Sequence, residues 1–252
     1  MATMKMTIAY DGTAYCGWQV QPRQRTLQQT IEQALKDVTG APIRVLASGR
    51  TDAGVHALGQ VVGFSTESHL AADALRRAVQ SRVPPDIAII DVTPAADNFH
   101  PIRDAVSKRY RYILSDALIA DVFSRRYCWQ YPVQLSASAM ARAGELLVGK
   151  HDFASFQSSG SPRESTIRTI SHLTVERQSN NDRGEIWVEV EADGFLYNMV
   201  RAIVGTLTEV GRGAESEDWC GQVLAALDRS HAGPTAPPQG LFLLSVDYGA
   251  KS

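Results

Sequence analysis

Four segments carry side chains whose types and spacing suit chemistry. The first is Gly49-Arg50-Thr51-Asp52-Ala53-Gly54-Val55-His56. It is not a phosphate-binding P-loop, because Val55 and His56 stand where Lys and Ser or Thr would be needed. One Asp and one His four positions apart are too few donors for a metal. What remains is a single carboxylate, Asp52, on a glycine-flanked turn beside Arg50. It is either a structural Asx turn or a lone acidic catalyst. The second segment is Lys108-Arg109-Tyr110-Arg111-Tyr112. On a strand, Tyr110 and Tyr112 share one face, and Arg109 and Arg111 share the other. Aromatic platforms beside guanidinium groups suit single-stranded nucleic acid, and they equally suit an ordinary half-buried strand with a solvated edge. The third is Phe195-Leu196-Tyr197-Asn198-Met199-Val200-Arg201. It puts a cation in the first turn of an apolar helix, where the helix dipole disfavours it. Such a cation either answers an anion or snorkels to water. The fourth, Ala236-Pro237-Pro238-Gln239-Gly240-Leu241, reads as a loop entering a buried strand.

The elements that must position these segments occur twice in the same order. Lys5–Tyr10 alternates as a strand. Thr26 opens a helix with Gln29 three residues on, the spacing of a capping box, and Gly40 ends it. Ile43–Ala47 and Gln60–Thr66 read as strands, Ala71–Arg82 as a helix and Ile87–Val92 as a strand. In the second half, Ser107–Leu114 is a strand, with Arg126–Tyr131 beside it. Ser136–Val148 is a helix stopped by Gly149. Thr169–Arg177 and Glu185–Ala192 are strands joined by a polar turn at Ser179–Gly184. Asn198–Val210 and Ser216–Leu227 are helices, and Leu241–Tyr248 is the last strand. Each half therefore reads β-α-β-β-α-β, the ferredoxin-like order. The expectation is an α+β fold of two such halves with mainly antiparallel sheets, residues 1–98 and 99–252, flanking a central cleft.

Composition narrows the function classes. With 44% hydrophobic and 21% charged residues, the 252-residue chain has the usage of a globular protein. Three scattered cysteines exclude a disulfide framework and a cysteine zinc site, and suggest a reducing compartment. No apolar run reaches the roughly 18 residues of a membrane span, and residues 1–10 lack a signal-peptide core. The expectation is a cytoplasmic protein with no membrane contact. The net charge of −2 is unevenly spread: residues 1–99 are neutral, 100–170 carry +4 and 171–252 carry −6. That is compatible with a basic patch on an acidic body, and equally with ordinary solvated faces.

Taken in order, these segments resemble the tRNA pseudouridine synthase A family. The resemblance runs from Tyr10-Asp11-Gly12-Thr13 and Gly17-Trp18-Gln19 through the Asp52 octapeptide and Gly59-Gln60-Val61-Val62. It continues in Phe99-His100, Arg109-Tyr110-Arg111-Tyr112, Asp152-Phe153, Phe195-Leu196 and Met199-Val200-Arg201, and closes with Ala236–Leu241. It implies a homodimer that isomerises uridine at positions 38, 39 and 40 of the tRNA anticodon arm, with neither cofactor nor metal. It implies that Asp52 is the catalytic carboxylate and Arg201 its partner. Tyr110 would lie beneath the target base, Arg50 in the space the flipped base leaves, and Leu241 and Phe195 beside the uracil. Phe99, His100, Arg103, Lys108, Arg109, Arg111, Arg163 and Arg168 would contact tRNA. Many members have Ala-Arg after Phe-His. Here Pro101 and Ile102 intervene before Arg103. Two other classes compete: a tRNA-binding module or chaperone that needs no Asp52, and a two-carboxylate hydrolase that would need Asp11 as its second acid. In the reading preferred here, Asp11 orders its own loop.

Overall fold

The computed structural model describes residues 1–160, 165–178 and 184–249. Strand β1 (Ala2–Tyr10) buries alternate side chains, Met4, Met6, Ile8 and Tyr10. Each is worth about 1.5–3 kcal/mol when fully removed from water. Helix α1 (Leu27–Thr39) buries Leu27, Ile31, Ala34 and Leu35, one stripe at helical spacing. Strands β2 (Leu46–Ala47) and β3 (His56–Thr66), helix α2 (Ala72–Gln80) and strand β4 (Ile87–Pro94) follow. β1 pairs antiparallel with both β3 and β4, and β2 pairs antiparallel with β3. The strand order β4-β1-β3-β2 is that of a ferredoxin-like unit. The β1–β3 register slips between Ile8, opposite Gln60, and Tyr10, opposite Ala57. The resulting bulge lies where β3 leaves the Asp52 loop, a common place to re-aim a site.

Two expectations change here for the same reason. The capping box does not form: Thr26 Oγ1 is buried with no hydrogen-bond partner. Instead the Leu27 and Gln28 N–H groups donate to the carbonyls of Gly17 (3.2 Å) and Trp18 (3.0 Å). The strand expected at Ile43–Ala47 shrinks to two residues, because the Val45 N–H is taken by Glu32 Oε1 of α1 at 3.1 Å. In both places backbone N–H groups are answered by partners from elsewhere in the chain.

In the second unit, β5 (Ser107–Ser115) is followed by β6 (Trp129–Gln130), α3 (Ala137–Glu145), β7 (Gly149–Asp152), β8 (Ile167–Arg177), β9 (Glu185–Ala192), α4 (Met199–Gly211) and α5 (Trp219–Ala226). β5 pairs with β9, β9 with β8 and β8 with β7, all antiparallel. The strand expected at Arg126–Tyr131 is only β6, parallel to β5. Turn hydrogen bonds from Ser124 N–H to Asp121 and from Tyr127 N–H to Ser124 occupy the backbone before it. Gly149, read as a helix stop, instead begins the edge strand β7. The turn expected at Ser179–Gly184 lies, apart from Gly184, outside the described residues. The fold is α+β with mainly antiparallel strands.

The described residues divide into Met1–Val106 with 242–249, and Ser107–Leu241. This differs from a division after residue 98. Pro101 packs 3.1 Å from the position a Gly63 Cβ would take, and the Val106 N–H donates to the Asp247 carbonyl at 2.8 Å. β10 (Leu241–Asp247), expected to complete the second half, pairs parallel with β3 at His56 and Ala57.

One ion pair ties three parts of the second unit together and sets an acid limit. Asp116, 3% exposed, accepts both Arg177 amino groups (2.8 and 2.7 Å) and the Leu135 N–H (2.8 Å). Burial pushes its carboxyl up, but the Arg177 and Leu135 hydrogen bonds outweigh burial and hold it below the ordinary range. A depressed carboxyl contributes stability that is present above its unfolded pKa and lost as pH falls through the folded one. Asp116→Asn is therefore expected to cost about 2 kcal/mol at neutral pH, discounted because Arg177 is 36% exposed. The cost should shrink as pH falls below the ordinary carboxylate range. Urea melts of both proteins across acidic pH check this; parallel curves would refute it.

Candidate active site

Asp52 sits on a turn whose backbone is fixed on both sides. Before it, Thr51 is buried and shares a 2.8 Å hydrogen bond with the Tyr10 hydroxyl. Its carbonyl accepts the Trp18 N–H at 2.9 Å. Gln60, fully buried, donates from Nε2 to the Gly49 carbonyl (2.8 Å) and accepts the Ser48 hydroxyl at Oε1 (2.7 Å). After it, the Val55 N–H closes the turn onto the Asp52 carbonyl at 3.1 Å. Two distant glycines make room for this path. A Cβ on Gly12 would lie 2.0 Å from the Val55 carbonyl oxygen, and one on Gly17, at φ +80°, 2.8 Å from that of Thr51. The Asp52 side chain is half-buried and Arg50 is exposed. Burial pushes the Tyr10 phenol up to about 12, so it supports the turn as a neutral hydrogen-bonding group.

Beneath the turn, His56 is 2% exposed and its ring stacks on Phe242 with centroids 4.7 Å apart. Its Nδ1 accepts the Gly12 N–H at 3.1 Å and lies 3.2 Å from Asp11 Oδ1. Asp11 orders its own loop, as expected, by accepting the Thr13 N–H (2.9 Å) and hydroxyl (2.6 Å). Within the same unit, Phe99 packs on Tyr248 with ring centroids 5.2 Å apart. His100 Nδ1 accepts the Arg103 N–H at 3.1 Å, and Arg103 itself bonds Asp104 (3.1 Å) and the Asn98 carbonyl (2.9 Å). Pro101 is buried, with its carbonyl bonded by the Tyr248 hydroxyl at 2.9 Å.

The second unit brings Tyr110, Phe195, Arg201 and Leu241 onto neighbouring elements. Tyr110, 8% exposed, meets the Phe195 ring edge-on at 5.0 Å between centroids. Arg201, in the first turn of α4, donates from Nε to the Ala236 carbonyl (2.6 Å) and from Nη1 to Asn198 Oδ1 (2.8 Å). Its own carbonyl accepts the Ala236 N–H at 3.1 Å. The neighbouring Pro237 carbonyl accepts the Tyr112 hydroxyl at 2.7 Å. Burial holds the Tyr112 phenol well above its usual range, against the opposing charge of Arg201. These bonds fix the 236–240 stretch and so place Leu241, which is 7% exposed.

The alternation expected on β5 is present: Tyr110 and Tyr112 are buried, while Arg109 and Arg111 are half-buried on the other face. The arginines share a partner that sequence reasoning missed. Glu189, across the strand from Arg111, bonds both Arg109 and Arg111, the latter at 2.8 and 2.5 Å. Arg111 also lies 3.8 Å over the Trp187 ring. Burial raises the Glu189 carboxyl, and the two arginines more than offset it, holding it below the ordinary range. Lys108 is half-buried, and Arg168 donates to the Ser165 (3.1 Å) and Ile167 (2.6 Å) carbonyls. Arg163 lies outside the described residues. Among the described residues no three His, Cys, Asp or Glu side chains gather as metal ligands would, and no helix is long and apolar enough to cross a membrane.

The family model described as "tRNA pseudouridine synthase" matches residues 6–102 and 143–249. The chain is 43% identical over 248 residues to the tRNA pseudouridine synthase A of Thermoanaerobacter sp. (strain X514), covering 98% of this chain and 100% of that protein. It is 45% identical over 248 residues to the protein of that name from Brevibacillus brevis, again covering 98% and 100%. To the one from Geobacillus sp. (strain WCH70) it is 45% identical over 246 residues, covering 97% and 98%.

Proposed function

The chain belongs to the tRNA pseudouridine synthase family, and from that premise we propose that it isomerises uridine at positions 38, 39 and 40 of the tRNA anticodon stem-loop. It is an isomerase that converts uridine in tRNA to pseudouridine. The observation that carries the reading of the site is the double clamp on the Asp52 turn, with Gly12 and Gly17 pressed against its backbone.

The reaction breaks the bond between ribose C1′ and uracil N1, turns the base and joins C5 to C1′. The C5 proton leaves and N1 gains one, so atoms and electrons balance without an oxidant or water. One anionic oxygen has to act at the nucleotide, and a rigidly presented carboxylate supplies it. Asp52 is that group in this proposal, and Arg201 supplies the positive charge that favours its ionised form. The base has to leave its stack, at a cost of a few kcal/mol. Arg50 offsets part of this by filling the vacancy with a planar cation. Tyr110 stacks on the uracil, and Leu241 and Phe195 keep water from the detached base. Phe99, His100, Arg103, Lys108, Arg109, Arg111, Arg163 and Arg168 contact the rest of the tRNA. The same reading makes the protein a cytoplasmic homodimer, expected to sediment at about twice its 27.5 kDa chain mass.

The test is conversion by the purified protein of a tRNA transcript made with ordinary uridine, mapped by carbodiimide adducts and primer extension. New stops are expected at whichever of positions 38, 39 and 40 hold uridine, and none when these are cytidine. Stops elsewhere would overturn the assignment of positions. No stops at all would overturn the function.

A further inference from the structure

A groove of about 520 Å³ in the first unit shares no lining residue with the turn that carries Asp52. Its walls are the 23–25 stretch, the polar side of α1 and the turn after α2. Three arginines line it, Arg23, Arg25 and Arg82, with one carboxylate, Asp37. Asp37 is engaged by Gln33 Nε2 at 2.7 Å. Arg25 is also engaged, by the Tyr15 hydroxyl (3.0 Å) and Asp86 (3.5 Å), and it stacks 4.4 Å over the Tyr15 ring. Arg23 and Arg82 are exposed, and among the described residues neither has an acidic partner. Arg23 also holds a left-handed backbone, φ 59°, where glycine would sit about 1 kcal/mol more comfortably. A strained arginine on the wall of a groove is what a charge requirement would leave.

The chemistry of the walls selects the ligand. Arg25 is answered by Asp86, so the groove's surplus positive charge lies on Arg23 and Arg82 against Asp37, and that surplus calls for an anion. The side-chain amides of Gln29 and Gln33 add neutral donors and acceptors. None of the lining residues is aromatic, so the groove offers no platform for an unstacked base. That combination fits the sugar–phosphate backbone of a folded nucleic acid. Resting on the function proposed above, we propose that this groove grips phosphates of the tRNA substrate away from the target nucleotide. It is tied to the catalytic turn through a short relay. The Arg25 carbonyl accepts the Cys16 N–H (2.9 Å), the Gly17 carbonyl accepts the Leu27 N–H (3.2 Å) and the Trp18 N–H donates to Thr51 (2.9 Å). RNA seated in the groove is thus held in register with the backbone that presents Asp52.

The experiment measures binding of a full-length tRNA transcript between 50 and 200 mM salt. For Arg23→Gln with Arg82→Gln, the slope of log affinity against log salt should fall by about 1.5, at roughly 0.7–0.9 per phosphate contact. The variant would then lose about eightfold less affinity than the parent across that range. A matched control, Arg76→Gln with Arg77→Gln, removes the same charge from α2, where both arginines pair with Asp73. Its slope should not change. If the glutamine pair lowers the melting temperature, Arg23→Lys with Arg82→Lys decides: a retained slope supports the groove and a lost one overturns it. An unchanged slope in a folded glutamine pair, or an equal fall in the control, overturns it as well. So does an unchanged slope together with binding of a polyglutamate peptide lost in the variant, which would assign the groove to an acidic protein segment. Uridine conversion by the parent protein keeps this result separate from the proposed function: conversion with an unchanged slope removes only the groove.

Discussion

Asp52→Asn is expected to abolish pseudouridine formation, with a loss of about 10⁴-fold or more in turnover, while leaving tRNA affinity within about twofold of the parent. Asparagine has the shape of aspartate and lacks its charge. It can neither attack carbon nor take a proton at neutral pH. The turn around it should survive, because several of the bonds that hold it run through backbone and neighbours. They are the Val55 N–H to the Asp52 carbonyl, Trp18 N–H to Thr51, and Tyr10 to the Thr51 hydroxyl. None uses the substituted atoms. Single-turnover conversion, filter binding and a melting curve on the same preparation separate the competing classes. A tRNA-binding module would convert nothing before or after the substitution. A hydrolase would release free uracil from the parent. Retained conversion by the asparagine variant would remove Asp52 from the chemistry altogether.

What the sequence disclosed, and what it hid, follows from the range of each interaction. Helix α4 was legible because Met199, Val200, Ile203, Val204 and Leu207 repeat at helical spacing, and all are buried. The two faces of β5 were legible for the same reason, since alternation is local. Glu189 was not, because strand register decides which residue of β9 lies opposite Arg111, and register is a tertiary outcome. The capping box was expected from local spacing and did not form; the Leu27 and Gln28 N–H groups at the start of α1 are answered by the carbonyls of Gly17 and Trp18, which only the fold brings there. Gly12 and Gly17 could be read as turn residues. That they press on a loop some 40 positions away could not, and neither could the pairing of β10 with β3. The groove lined by Arg23 and Arg82 is the same case, since residues far apart in sequence meet only in the fold.

The placement of the catalytic turn should be as sensitive to Gly12 as the chemistry is to Asp52. Gly12→Ala would put a methyl carbon 2.0 Å from the Val55 carbonyl oxygen, with the Val55 carbonyl carbon at 2.7 Å. Both are backbone atoms, so no side chain can swing away. Either the 11–14 turn lifts, weakening the 3.1 Å bond from the Gly12 N–H to His56, or Val55 moves and carries Asp52 with it. Overpacking of this kind costs about 1–3 kcal/mol, and a displacement of about 1 Å at a reacting group costs about 10² in rate. The expected result is a turnover at least about 100-fold lower at saturating tRNA, in a protein that still melts cooperatively. Gly40→Ala is the comparison. Gly40 also has a left-handed backbone, φ +75°, but nothing lies within 4 Å of its missing Cβ. It should lose about 1–2 kcal/mol from strain alone and keep full turnover. If both variants lose stability alike and neither loses turnover, the clamp on the Asp52 turn positions nothing. If Gly12→Ala alone fails, the rigidity of that turn is part of the catalyst, because the loss then follows where the methyl group points and not how much stability it removes.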